Sequence, residues 1–91
     1  MGVAERFGAN LVHTRHEAGI SQEELGWLAS LHRTQIGILE RGVRLPRIDT
    51  LAKLAGALDV PVERLMEGIV WRPGTTRVGG FQAIDESTQA K

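Results

Sequence analysis

Missing residue types set the first limits on this chain of 91 residues. It contains no cysteine, which excludes disulfides and thiolate–metal sites as sources of stability and is compatible with a reducing cytoplasm. It has no tyrosine, two tryptophans and two phenylalanines, so it lacks the aromatic platform that readers of single-stranded RNA use. No apolar run approaches the length of a membrane span, and the first ten residues lack the basic and apolar regions of a signal peptide. We therefore expect a cytoplasmic protein with no membrane association.

Net charge is also lacking, because 11 basic and 11 acidic side chains cancel, and this is unusual for a nucleic-acid binder. The charges are nevertheless unevenly placed. Between His32 and Arg47 four arginines accompany a single glutamate, whereas the other acidic residues lie before or after this stretch. Most basic residues are arginines, whose planar guanidinium suits phosphate and guanine, although a GC-rich genome would produce the same bias. The balanced composition thus conceals a basic segment in the middle of the chain.

Apolar residues recur at helical spacing up to about residue 68 and predict five helices. Gly19 and Gly42 would end the first and third helices. Ser21 and Glu24 form an S-x-x-E capping box at the start of the second, and Pro61 suits the first position of the fifth. The predicted inward faces consist of Phe7, Leu11, Arg15 and Ala18; Leu25, Leu28 and Ala29; Ile36 and Leu39; Ile48, Leu51, Leu54, Ala55 and Leu58; and Leu65 and Met66.

The pattern changes after residue 68, which divides the chain into a helical domain, residues 1–68, and a C-terminal extension, residues 69–91. β-Branched and aromatic residues flank a Pro-Gly turn signal and predict either a β-hairpin of 69–72 against 77–82 or an extended arm. The final residues, DESTQAK, are polar and expected to fray. An apolar set in the extension would either pack on the first and fifth helices or form a dimer contact, chiefly through Trp71 and Phe81: Val70, Trp71, Val78, Phe81 and Ile84.

Two short helices joined by about three residues have the length pattern of a helix-turn-helix, although any small bundle contains short helices. Three stretches of the sequence are more specific: R-x-x-x-G-x-S-Q-x-x-L from Arg15, I-x-x-x-E-x-G from Ile36, and P-x-x-x-T-L-x-x-L-A-x-A-L from Pro46. In this order and register the chain resembles the Xre-type helix-turn-helix family, which includes the lambda-repressor and Cro proteins of phages. The resemblance covers roughly residues 7–67. It implies an all-α, five-helix DNA-binding domain.

The resemblance further implies a homodimeric transcriptional regulator whose third helix, about residues 32–41, reads the major groove of double-stranded DNA. An arginine at the start of such a helix can bind O6 and N7 of guanine together, worth roughly 1–3 kcal/mol of discrimination. The predicted base-contacting residues are Arg33, Thr34, Gly37 and Ile38. The predicted phosphate contacts are Gln22, Arg41 and Arg44, carried over from the resemblance, together with His32 and Gln35.

Gly37 and Ile38 are unexpected in the middle of a short helix, where glycine costs about 1 kcal/mol relative to alanine. In one interpretation Gly37 lets the helix backbone approach DNA closely, and Ile38 lies against thymine methyl groups or sugars. In the other, Gly37 packs on the second helix near Gly26, and Ile38 belongs to the core or to a dimer contact.

A structural ion pair between Arg15 and Glu40 is also implied by the resemblance, and it would tie the third helix to the rest of the domain. Removing one partner of such a buried pair strongly destabilises the fold, because the other charge is left buried and unpaired. Two positions depart from the family pattern, which commonly has alanine at Gly26 and glycine at Ser30. Ser30 would therefore adopt a left-handed conformation, or the turn would differ in geometry.

Catalytic and metal-binding interpretations have little support. His13 and His16 lie one helical turn apart, but only Glu17 accompanies them, and a solvated helix face explains all three. The sequence contains no nucleophile elbow and no phosphate-cradling glycine loop. We therefore predict no enzyme activity, no catalytic residue, no metal and no cofactor.

Two other functions remain open at this level. The chain would serve as the antitoxin of a toxin–antitoxin pair if the extension bound a toxin and DNA binding were autoregulatory. It would serve as a protein-interaction adaptor if the fold had lost DNA binding. A protein partner, toxin or polymerase, is therefore a further expectation, and the sequence does not distinguish a repressor from an activator.

Overall fold

The computed structural model describes residues 2–74 and 79–84. Within these residues five helices precede a two-stranded antiparallel hairpin, so the all-α fold with a C-terminal hairpin is confirmed. The elements are α1 Val3–Ala18, α2 Gln22–Ala29, α3 Arg33–Glu40, α4 Ile48–Leu58, α5 Val62–Leu65, β1 Ile69–Arg72 and β2 Gly80–Ala83.

Local hydrogen bonds explain where the helices begin and end. The Ser21 hydroxyl accepts from the Glu24 amide at 3.0 Å while the Glu24 carboxylate accepts from the Ser21 amide at 3.0 Å, which confirms the capping box of α2. Gly19 ends α1 with φ of 73°, a left-handed conformation that glycine adopts without a Cβ penalty. Pro61 caps α5 instead of occupying its first position, so that helix begins one residue later than predicted.

Among the described residues, the core contains ten buried apolar side chains, contributed by all five helices. Four residues predicted to face inward are exposed instead: Ala18, Leu28, Ile48 and Met66. All four lie at or next to a helix end, where the apolar period continues but no neighbouring helix covers it. Ile48, the first residue of α4, is 85% exposed. The buried apolar residues are Phe7, Leu11, Leu25, Ala29, Ile36, Leu39, Leu54, Ala55, Leu58 and Leu65.

Two polar side chains of α1 also hold the fold together. Thr14 is buried, and its hydroxyl donates to the Asn10 carbonyl at 2.8 Å, so no polar group is left unpaired there. The Asn10 amide donates to the carbonyls of Leu65 and Glu67, at 3.0 and 2.8 Å. Asn10 thereby fixes the end of α5 against α1, just before the chain enters the hairpin.

The hairpin differs from its predicted register. Ile69 pairs with Ala83 and Arg72 with Gly80, so the second strand is shifted toward the C-terminus relative to the predicted 77–82. Pro73 has no amide hydrogen to donate to the ladder, which is consistent with β1 ending at Arg72. The predictions for Val78 and for the final residues 85–91 concern segments outside the described residues.

The apolar residues of the hairpin lie in two environments. Ile69, which was not in the predicted apolar set, packs against the core. Trp71 and Phe81 instead contact each other across the hairpin, edge to face with ring centroids 5.1 Å apart, and stay 49% and 61% exposed. None of the helices described is both long and apolar enough to cross a membrane.

Candidate nucleic-acid interface

The turn between α2 and α3 depends on a close approach of two backbone segments. The Leu31 amide donates to the Gly26 carbonyl at 2.8 Å, and a Cβ at Gly26 would lie 2.6 Å from the Leu31 carbonyl oxygen. Ser30 ends α2 with φ of 56°, so it does adopt the left-handed conformation considered from the sequence. Glycine therefore occupies the position of closest approach, and the strained backbone falls on a serine.

The N-terminus of α3 is capped by a histidine. Nδ1 of His32 accepts from the Thr34 amide at 3.1 Å, and the Gln35 side-chain oxygen accepts from the His32 amide at 3.1 Å. A neutral ring that accepts at Nδ1 carries its proton at Nε2, which leaves one N–H donor on exposed His32. The Gln35 amide NH2 group is likewise left for another acceptor.

The side chains predicted to read bases fall into two groups. Arg33 and Thr34 are exposed in the first turn of α3, where side chains come closest to a groove that the helix enters N-terminus first. Ile38 is half-buried beside Arg44 and Thr50, in a shallow cavity under the loop that follows α3. Gly37 is buried. Of the four predicted base-contacting residues, Arg33 and Thr34 are therefore the exposed ones.

A buried polar network holds α3 from behind. Arg15 donates through Nε and Nη2 to the two carboxylate oxygens of Glu40, at 2.6 and 3.1 Å, and through Nη1 to the Ile20 carbonyl at 3.0 Å. The Gln22 amide donates to Glu40 at 2.7 Å. The side chains of Arg15 and Glu40 are only 11% and 5% exposed, so solvent screens the pair weakly. The ion pair expected from the resemblance is thus in place, and Gln22 at the start of α2 joins it.

Two glycines bring α1 against the end of α3. A Cβ at Gly8 would lie 2.6 Å from the carbonyl oxygens of both Leu39 and Glu40. Gly42 has φ of 74°, and a Cβ there would lie 2.8 Å from Cα of Glu5. Close backbone contact between elements that are distant in sequence leaves no periodic pattern of apolar residues. Gly8 was therefore not identified from the sequence.

A basic surface continues from α3 into the loop 41–47. Arg41, Arg44 and Arg47 are exposed, and Arg44 and Arg47 both line the cavity that includes Ile38. Arg47 contacts Asp49 at 3.5 Å, but both side chains are largely exposed, so this pair leaves the guanidinium accessible. Arg44 and Arg47 therefore lie beside Ile38, one of the predicted base-contacting residues.

Two side chains of the chain itself lie next to Gly37, and one of them belongs to α2. A Cβ at this position would meet Nη1 of Arg41 at 3.1 Å and the side-chain amide of Gln22 at 4.0 Å. Gly26 is absent from these neighbours, because it faces Leu31 and Arg33 across the turn. The tip of Arg41 thus lies close to Gly37, and the Gln22 amide lies at ordinary van der Waals distance from a Cβ there.

The histidines of α1 have different neighbours, and Nε2 of His16 lies 3.4 Å from Nη2 of Arg15. His13 contacts Glu17 at 3.2 Å on an exposed helix face, and Arg64 of α5 also pairs with Glu17. Among the described residues, no cluster of three or more histidine, aspartate or glutamate side chains has metal-binding geometry.

The chain is similar to known proteins of one family. A profile described as a helix-turn-helix domain matches residues 6–67. The chain is 38% identical over 66 residues to control protein C.SmaI of Serratia marcescens, a match that covers 72% of this chain and 79% of that protein. It also shares 37% identity over 60 residues with an HTH-type transcriptional regulator, y4dJ, of Sinorhizobium fredii, covering 66% of this chain and 78% of that protein.

Solved structures of similar fold include proteins of the same kind. The restriction-modification controller protein C.AhdI from Aeromonas hydrophila superimposes with a TM-score of 0.67 and 39% identity, covering 68% of this chain and 90% of its own. The P22 c2 repressor, solved with a synthetic operator, gives a TM-score of 0.63 at 26% identity, covering 68% of this chain and 94% of its own. The profile match ends before the hairpin begins.

Proposed function

Because the chain belongs to the helix-turn-helix family of DNA-binding transcriptional regulators, we propose that it binds duplex DNA as a homodimer and reads the major groove with α3. One observation carries this proposal. The first turn of α3 exposes Arg33 and Thr34, while the other end of the same helix is anchored by the buried contact of Glu40 with Arg15. A reading helix needs both an accessible first turn and a rigid support, since misplaced side chains lose their hydrogen-bond geometry with base edges.

Base reading is assigned to Arg33, Thr34 and Ile38. Arg33 would bind guanine through both its O6 and N7 atoms, and Thr34 would donate to a base or touch a thymine methyl group. Ile38 is only partly accessible, so its contribution is limited to apolar contact with a methyl group or a sugar. Discrimination between sequences should therefore depend chiefly on Arg33.

Phosphate contacts are assigned to two groups of donors around α3. Nε2–H of His32, the Gln35 amide and a second N–H of Gln22 lie at the starts of α3 and α2, where helix dipoles also favour an anion. Arg41 and Arg44 follow the helix, and Arg47 lines the same cavity as Arg44. Together these residues would supply the salt-dependent part of the affinity.

Dimerisation is assigned to the extension. Trp71 and Phe81 form an exposed aromatic pair on the same face of the hairpin as Ile69, which is packed on the core. A two-stranded hairpin is marginal by itself in water, so an exposed aromatic face is a natural contact for a second copy. In a dimer the two reading helices would lie about 34 Å apart, one turn of duplex.

The relatives point to a more specific candidate function. C.SmaI is a control protein, and the solved neighbour C.AhdI is a restriction-modification controller. If this chain has the same role, the genes beside its own should encode a DNA methyltransferase and an endonuclease. A small toxin gene in that place would favour the antitoxin alternative, with the hairpin as the toxin contact. A stable protein complex without DNA affinity would favour the adaptor.

The test is a binding titration of the full chain against the duplex upstream of its own gene, repeated between about 50 and 200 mM salt with a scrambled duplex as control. We expect preference for the upstream duplex and affinity that falls steeply with salt. Lys53→Ala, which removes one positive charge from an exposed position on α4, should leave affinity and salt slope almost unchanged. Equal, weak binding to both duplexes would refute the proposal.

A further inference from the structure

Arg41 and Gln22 converge on the surface of α3 at a residue without a side chain. We propose that Gly37 is a positioning residue, which keeps the Arg41 guanidinium folded back over α3 and beside the Gln22 amide, so that both grip one DNA phosphate. This inference rests on the proposed DNA binding, and it gives Gly37 a different part in that binding from close approach to the groove.

Geometry is the first support. Gly37 and Arg41 are four residues apart, so they lie on the same face of the helix, one turn apart. A Cβ built on Gly37 would come within 3.1 Å of Nη1 of Arg41 and 4.0 Å of both side-chain amide atoms of Gln22. The guanidinium therefore lies one turn back along α3, level with Gly37, and does not extend into the loop with Arg44.

Burial is the second support. Gly37 is buried although its neighbours Arg33 and Thr34 in the first turn are exposed. A glycine used for close approach of DNA would leave its backbone accessible in the free protein. Arg41 is exposed, Gln22 is partly exposed, and both have side-chain atoms within 4.0 Å of a Cβ at Gly37. DNA that approached Gly37 would therefore meet these two side chains first.

Chemistry favours a phosphate as the shared ligand. One N–H of Gln22 is used on Glu40, at 2.7 Å, and the second remains. A guanidinium and a neutral amide N–H, held side by side, offer several donors and no competing negative charge, because Glu40 is already neutralised by Arg15. Holding a long arginine side chain in place before binding also reduces the conformational entropy lost on binding.

The two phosphate contacts assigned separately to Gln22 and Arg41 thus become one site. Glycine is the least favourable ordinary residue inside a helix, and alanine at this position would improve helix propensity. Its methyl group would at the same time displace the tip of Arg41. The proposal therefore predicts that the Gly37→Ala variant is at least as stable as wild type but binds DNA less tightly.

A double-mutant cycle tests this prediction, with wild type, Gly37→Ala, Arg41→Ala and the double variant. The probe is a duplex of about three helical turns selected by the wild-type chain from random sequence. Arg41→Ala should weaken binding about tenfold, as expected for loss of a charged hydrogen bond. Gly37→Ala should weaken it roughly threefold or more in the wild-type background and have almost no effect in the Arg41→Ala background.

Gly56→Ala is the matched control. Gly56 is an exposed glycine inside α4 with nothing within 4 Å of a Cβ, so this change improves helix propensity without displacing any group. Both glycine variants should melt no lower than wild type, and only Gly37→Ala should lose affinity. If Gly37→Ala weakens binding equally in both backgrounds, the methyl group meets DNA directly and the proposal is wrong. Unchanged affinity of Gly37→Ala would also overturn it.

A measurement without DNA separates this inference from the proposed function. In the free protein, ¹⁵N relaxation of the arginine Nε–H groups should show Arg41 more rigid than Arg44, and Gly37→Ala should remove that difference. Equal mobility of the two arginines in wild type would overturn the positioning role even if DNA binding is demonstrated. A chain that binds no duplex but has a rigid Arg41 would instead refute the phosphate grip together with the proposed function.

Discussion

Arg15 and Glu40, which are 25 residues apart in sequence, form a buried two-point ion pair between the end of α1 and the end of α3. The arginine satisfies both carboxylate oxygens and has a third N–H bound to the Ile20 carbonyl, while Gln22 donates to the same carboxylate. The pair thus fixes α3 to α1 and, through Gln22, to α2. A buried ion pair is by itself weak evidence of stability, so its role is measured by removing one of the two partners.

Glu40→Ala should therefore destabilise the fold by about 3 kcal/mol, because it leaves the Arg15 charge buried without a partner. Chemical denaturation measures this directly. Glu17→Ala, which breaks exposed contacts with His13 and Arg64, is the control and should cost less than about 1 kcal/mol. Similar losses for the two variants would mean that the buried pair does not support α3. A double change of Arg15→Met and Glu40→Leu should recover much of the loss.

Ser30→Gly should stabilise the chain by about 1 kcal/mol, since Ser30 has a left-handed backbone that glycine adopts at lower cost. Ser30→Ala keeps the same conformational penalty and serves as the control at the same site. Thermal melting of the three proteins provides the comparison. A melting temperature for Ser30→Gly at or below that of Ser30→Ala would show that the turn is not strained.

His32 has two assigned roles that substitution can separate. His32→Ala removes the cap of α3 and should cost about 1 kcal/mol of stability. His32→Ser restores a capping oxygen without restoring the Nε2 donor, so its stability should return while DNA affinity stays reduced. Denaturation and binding titrations on both variants test this. Full affinity in His32→Ser would remove His32 from the phosphate contacts.

Trp71→Ser combined with Phe81→Ser should convert a dimer into a monomer, because the pair is the exposed aromatic surface of the hairpin. Sedimentation velocity gives the oligomeric state, and the far-ultraviolet circular dichroism of the helices gives the fold. Trp27→Ser is the control, since Trp27 is 83% exposed on α2 and outside the assigned interface. A double variant that remains dimeric would place the interface elsewhere.

The sequence was most informative where local chemistry decides the structure. The helical period and the capping box at Ser21 predicted α2 correctly, because both depend on residues within one turn of each other. The partnership of Arg15 with Glu40 came from the family resemblance and not from their spacing. Leu28 and Ile48 were misplaced, because a period marks the apolar face of a helix but does not show how far its neighbours extend.

Gly37 shows why the rest of the site was not predictable. Its burial depends on where the side chains of Arg41 and Gln22 lie in the folded chain. Gln22 is on another helix, and the direction of Arg41 is a rotamer choice that sequence spacing does not specify. Gly8 was missed for the same reason, since the carbonyl groups that exclude a Cβ there come from the end of α3.

The central claim is that the first turn of α3 reads DNA bases, and selection of duplexes from a random library by wild type and by Arg33→Ala tests it most directly. Wild type should enrich a two-fold symmetric site with guanine at one position of each half-site. Arg33→Ala should lose preference at that position by a factor equivalent to roughly 1–3 kcal/mol and keep the others. An identical selected site for both proteins, at equal affinity, would contradict the account.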